Sequence, residues 1–193
     1  MDHFLFLYPI DKIFDFEIQN HGWHEKGGVE AYKSKYATTL NRCIDERYRQ
    51  KGYVITFALF NDEIISEIIK LEESDRLIYV GLNFATHTTK LPNGEFPYPD
   101  NDVILGKLED VSHLRVAGFH MWDCVERLAK RAYERKINVL VDEELTEFFG
   151  WRLKDDDFRT DKYPTYDPRK LGEVNFKWFM EARKNRPWLW QRY

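Results

Sequence analysis

Five short apolar runs, separated by stretches of helical periodicity, constrain this chain more than any other feature. The runs are His3 to Ile10 (HFLFLYPI), Tyr53 to Phe60 (YVITFALF), Leu77 to Phe84 (LIYVGLNF), Leu114 to Phe119 (LRVAGF) and Asn138 to Asp142. Each is short, β-branched or aromatic, and bounded by turn residues, as strands buried on both faces are. Between them, Glu30 to Lys51 places Tyr36, Leu40, Cys43, Ile44 and Arg47 on one helical face, with Gly52 as its stop. Asp62 to Glu73 carries a wide apolar stripe through Ile64, Ile65, Ile68, Ile69 and Leu71. Asp123 to Lys136 repeats Val125, Leu128, Ala129, Ala132 and Tyr133 at helical spacing, and Val103 to Asp110 and Glu144 to Phe149 read as short helical pieces. Asp11 to Gly28, with three glycines, reads as loop.

Strands alternating with helices predict parallel strands joined by right-handed crossovers. The expected class is α/β, a three-layer α/β/α sandwich with a mainly parallel, Rossmann-like sheet. Residues 1–150 form the expected domain, and 151–193 an aromatic extension that is basic from Arg169 onward. Its Trp178, Phe179, Trp188, Trp190 and Tyr193 are expected to cover this domain or a partner subunit in a homo-oligomer.

Composition narrows the partners. A net charge of −4 argues against nucleic acid as the partner. No apolar run reaches the ~18–20 residues of a membrane helix. Asp2 precedes the first apolar run, so a secretory leader is not expected and a cytoplasmic location is. The two cysteines, Cys43 and Cys124, do not make a disulfide framework.

Ligands of open parallel sheets bind beyond the carboxyl ends of the strands. Three chemically useful residues fall there: Asp11, Lys90 and Cys124. Lys90 lies in the proline-bearing segment Ala85 to Asp102, and irregular segments of that length are often functional. Cys124 opens a helix, where the helix dipole and free amides favour a thiolate and could hold an oxyanion. Its other reading is a small buried hydrophobe. Lys90 reads equally as a solvated loop lysine.

The run Val116-Ala117-Gly118-Phe119-His120-Met121-Trp122-Asp123-Cys124-Val125 resembles the nucleophile segment of the isochorismatase-like cysteine hydrolases, which include nicotinamidases and N-carbamoyl amidohydrolases. The likeness lies in a strand ending Val-Ala-Gly, five intervening residues, and then Cys-Val. It continues through Ala129 and Ala132 to Val139-Leu140-Val141, although Lys136 stands where the family usually has glycine. Weaker similarity takes in Leu40 to Phe60, with Arg49 and Gly52, and Leu105 to Gly118. The resemblance implies an Asp-Lys-Cys triad of Asp11, Lys90 and Cys124. Asp11 would be the base that takes the thiol proton, and Lys90 would lower the thiol pKa. An alternative alignment of the first strand places Tyr8 where the carboxylate belongs, which removes that base. Tyr8, His120, Met121 and Trp122 are the expected substrate-binding residues, with packing roles as the alternative for His120 and Trp122.

The resemblance implies a cysteine-dependent hydrolase of a small amide or carbamoyl substrate, acting through a thioester, or a catalytically inactive ligand-binding or interaction domain of the same fold. No metal or cofactor is expected. The nicotinamidase Asp-x-His site has no counterpart in Leu59 to Ile64, His21 and His24 make a weak pair, and Asp155 to Asp157 read as solvated. A nucleotide-binding doubly wound domain is a third reading, without its glycine motif.

Overall fold

A computed structural model describes residues 1–164 and 173–190. Its centre is a sheet of five parallel strands in the order β3-β2-β1-β4-β5: β1 Asp2–Leu7, β2 Val54–Leu59, β3 Arg76–Tyr79, β4 His113–Gly118 and β5 Asn138–Val141. The helices are α1 Asp11–Gly22, α2 Gly28–Arg47, α3 Phe84–His87, α4 Asn101–Gly106, α5 Glu126–Glu134, α6 Phe149–Arg152 and α7 Glu173–Arg183. The chain is therefore α/β with an all-parallel sheet. Among the described residues, no helix is long and apolar enough to cross a membrane.

The order reverses beside β1. From there the chain builds outward through β2 and β3, then crosses back to place β4 on the other side of β1 and β5 beyond it. Right-handed crossovers in opposite directions put their helices on opposite faces. In keeping with this, α1 packs on α2, while α4 packs on α5. Both faces are thus covered, and β1 and β2 are buried at nearly every position. The edge strand β3 alternates between half-buried and exposed.

The third strand ends at Tyr79, short of the expected Phe84, which instead begins α3, and two further segments differ from the sequence-based expectation. Residues 11–22 are a helix rather than a loop, because Ile13, Phe14, Glu17, Ile18 and Gly22 form a buried helical face. The expected helix from Asp62 to Glu73 is irregular. Its backbone is held by tertiary partners instead: Ser66 N–H donates to Pro9 O, and the Asn41 amide bonds Ile68 O and Lys70 N–H. The apolar stripe divides accordingly, with Ile68 and Ile69 buried and Ile64 exposed.

The residues beyond 150 share the core of the rest. Helix α6 runs across that position, and Leu153, Trp188 and Leu189 are buried in the common core. Val141 N–H donates to Trp188 O, so the C-terminal segment covers the outer edge of β5. Trp178 stays about half exposed. Tyr193, part of the expected aromatic cover, lies outside the described residues.

Candidate functional site

The sheet order reverses between β1 and β4, and the segments leaving their carboxyl ends frame a crevice. Leu7 pairs with Gly118 at that edge. Gly118 adopts a φ of +103°, and a Cβ there would lie 2.2 Å from Leu7 O. Only glycine lets the two backbones come this close. The next residue of each strand, Tyr8 and Phe119, lines a cavity of about 320 Å³. Ile13, Phe60, Phe84 and Phe96 supply apolar wall, and His87, Tyr98, His120, Asp123 and Cys124 supply polar atoms.

Cys124 is buried in a π-helical turn, Met121–Val125, that leads into α5. Its Sγ lies 3.7 Å from His87 Nε2, and the Tyr8 phenol lines the same cavity close enough for it and the thiol to shift one another. Tyr8 is itself fixed, buried with a φ of +60° and stacked on Phe60. Burial, together with the nearby thiol, holds its phenol well above the ordinary range, so the hydroxyl keeps its hydrogen and can donate.

The expected acidic shift of the thiol is reversed. Burial first, and then the charge of Asp123, push Cys124 up to about 12; the nearby Tyr8 phenol opposes them. The helix start that should favour a thiolate is occupied by acid. The Glu147 carboxylate accepts Met121 N–H at 2.8 and 2.9 Å. The amides of Asp123 and Val125 donate to His120 O. Anionic side chains at this end offset the positive pole of the helix, and an oxyanion hole cannot use these three amides.

The expected triad is not brought together. Asp11 opens α1, exposed and outside the cavity lining, because the chain turns at Tyr8 and buries Ile10 before the helix begins. Lys90 is exposed in a neighbouring groove with Leu91, Pro92 and Pro97, its Nζ 5.6 Å from the centre of the Phe96 ring. Of the expected binding residues, Tyr8 and His120 line the cavity. Met121 is fully buried, and Trp122 packs edge-on against Trp178 and Phe148, so neither lines it. Cys43 is buried in α2, its thiol also raised to about 12 by burial.

Sequence reasoning did not single out His87, Tyr98 or Glu147. A signal existed for the first, since His87 is the sole histidine in the irregular segment Ala85 to Asp102. Tyr98 donates to Asp123 at 3.1 Å, and Arg127 holds the other carboxylate oxygen at 3.0 Å. Among the described residues, no group of three or more His, Cys, Asp or Glu is arranged to hold a metal. Comparison of the chain with known protein families, characterised proteins and solved structures finds no significant match.

A second titrating cluster borders the cavity. His120 Nδ1 lies 3.3 Å from Glu147, and that pairing raises the imidazole pKa. Glu17 of α1 is buried, and burial together with Glu147 raises it from 4.5 to about 7. A carboxyl raised in the folded state binds a proton that the unfolded chain has released, so stability falls as pH rises from about 4.5 to about 7. The raised pKa of His120 acts in the same direction, its stabilisation being lost as pH climbs through the folded value. Glu17→Gln is therefore expected to raise the melting temperature at about pH 8 and leave it nearly unchanged at about pH 4.5. Melting curves across this range check the point, and an equal shift at both ends would disprove it.

Proposed function

We propose that Cys124 hydrolyses a small amide or carbamoyl compound through a thioester, without a metal, in the manner of the isochorismatase-like cysteine hydrolases. One observation carries the reading: a thiol stands at the sheet's reversal point inside a cavity, with an imidazole nitrogen 3.7 Å from its sulfur and the Tyr8 phenol in the same lining. A cavity of about 320 Å³ suits a small molecule. Its aromatic wall favours a substrate whose non-reacting part is flat and apolar. Among the described residues no lysine or arginine lines it, which argues against a strongly anionic substrate.

Because the thiol is held neutral, its proton must leave as the sulfur attacks the carbonyl carbon, rather than beforehand. The Tyr8 hydroxyl, still protonated and lining the same cavity, is a donor available to the oxygen that gains charge. Collapse expels the amine, and water then hydrolyses the thioester.

The exposure of Asp11 and Lys90 favours a second reading, a binding domain of this fold without catalysis. Mass spectrometry of the intact protein, incubated with a panel of small aryl amides and carbamoyl compounds, separates the two. The hydrolase reading expects an acyl adduct on Cys124 and released product, both lost in Cys124→Ala. Bound compound with neither adduct nor product would leave the binding reading alone.

A further inference from the structure

With Asp11 outside the cavity, the group beside the Cys124 sulfur able to take its proton is an imidazole. His87 closes α3, and its Nδ1 lies 2.7 Å from Pro97 O. A carbonyl oxygen only accepts, so Nδ1 must carry a hydrogen. In the neutral ring this leaves Nε2 with a lone pair, and Nε2 faces Cys124 Sγ at 3.7 Å. The thiol therefore donates and the imidazole accepts. Phe60 stacks on the ring and Tyr98 meets it edge-on, each with centroids 5.2 Å apart, which fixes its plane. A nucleophile, a base within reach, and a third group orienting the base form the arrangement that activates weak nucleophiles.

We propose that His87 is the general base of Cys124, held in its working tautomer by the Pro97 carbonyl. The assignment rests on reading Cys124 as a nucleophile. As sulfur bonds to the carbonyl carbon, Nε2 takes the thiol proton and the C=O electron pair moves onto oxygen. When that pair returns, the C–N bond breaks and the imidazolium gives its proton to the departing amine. Water then attacks the thioester and yields a proton to Nε2. The C–S bond breaks, and the sulfur recovers that proton. The net change is amide plus water to acid plus amine.

The titratable groups around His87 are Tyr8 at the end of β1, Tyr98 in the following loop, and His120, Asp123 and Cys124 after β4. Asp123 is engaged by Tyr98 and Arg127, and the two phenols are expected to stay protonated through the neutral range.

Peptide-resolved alkylation by iodoacetamide across pH tests the assignment, with the fully buried Cys43 as an internal control. In the wild type, Cys124 should already react at neutral pH, well below the pH at which Cys43 begins to react. His87→Gln should slow the Cys124 rate about tenfold or more at neutral pH and let it rise only as the thiol itself ionises. His87→Ala should be equally slow and be restored by added imidazole, which a purely structural role would not allow. Slowing without rescue overturns the assignment. If the wild type reacts at neutral pH and His87→Gln follows the same profile, His87 alone is excluded. If the wild-type thiol reacts only above about pH 9, the nucleophile reading falls with it. Should both variants fail to fold, the wild-type profile decides: reaction of Cys124 at neutral pH, well before Cys43, supports the base, and reaction of both thiols only together at alkaline pH overturns it.

Discussion

Gly118→Ala is expected to destabilise the protein by roughly 4 kcal/mol or more, the sum of two separate costs of ~1–3 kcal/mol each or beyond. The first is backbone strain, because φ at this position is +103°, outside even the left-handed helical basin. The second is steric. The added carbon would lie 2.2 Å from Leu7 O and 2.6 Å from Leu7 N, and these are backbone atoms of the central strand, paired on both sides. They cannot withdraw without breaking the sheet at its reversal point. Against a total stability of ~5–15 kcal/mol, such a loss leaves little folded protein. Gly52→Ala is the matched control. Its φ is +81°, but nothing lies within 4 Å of the new carbon, so only ~1–2 kcal/mol of strain applies. Urea unfolding of both variants checks the prediction. Equal midpoints would show that the close approach to Leu7 costs nothing. Any Gly118→Ala protein that does fold should also have a disturbed thiol environment, since this contact sets Tyr8 against the turn that holds Cys124.

Removing the Arg47 guanidinium should cost about 3–5 kcal/mol, the usual penalty for leaving buried charges without their partner. Arg47 is buried on α2. It pairs with both oxygens of Asp142 at 3.1 and 3.2 Å and with Glu144 at 2.8 Å, and both carboxylates are fully buried. It also donates to the carbonyls of Arg159 and Thr160, which ties α2 to the segment following α6. Arg47→Met keeps the bulk and loses the charge. Asp142 then retains Tyr48, and Glu144 retains Arg152, but neither replaces the lost cation fully. A double variant with Asp142→Asn should recover part of the loss, because one of the stranded charges disappears. Chemical denaturation of the single and double variants measures this. A cost under about 1 kcal/mol for Arg47→Met would mean that the cluster behaves as a surface pair. The residues near 159 and 160 should also become more sensitive to protease in the single variant, as their carbonyl partners are lost.

The candidate site was legible in part, and the divide follows physical range. Cys124 could be found because its signal is local: a strand ending at a glycine, a short turn, and an amphipathic helix whose Val125, Leu128, Ala129 and Ala132 are all buried. Its partner could not. His87 and Cys124 are 37 residues apart, and they meet because the chain crosses from β3 at one edge to β4 beyond β1. The same reach explains the thiol's environment. Position at a helix start suggests acidity, whereas the burial around the sulfur decides against it, with the charge of Asp123 and, from beyond β5, Glu147 acting the same way.

Periodicity by itself determined the strands, the long helices α2 and α5, and the α/β class, since burial on one face or both imprints directly on residue spacing. It failed at 11–22, where glycines obscured a buried helical face, and at 62–73, where an apolar stripe had no helix to belong to. There the backbone found its hydrogen-bond partners in Pro9 and Asn41, far away in sequence. Which residues surround the sulfur was decided by the tertiary structure alone. Strand order is set by the packing of the whole sheet, and no local spacing encodes which loops will share an edge.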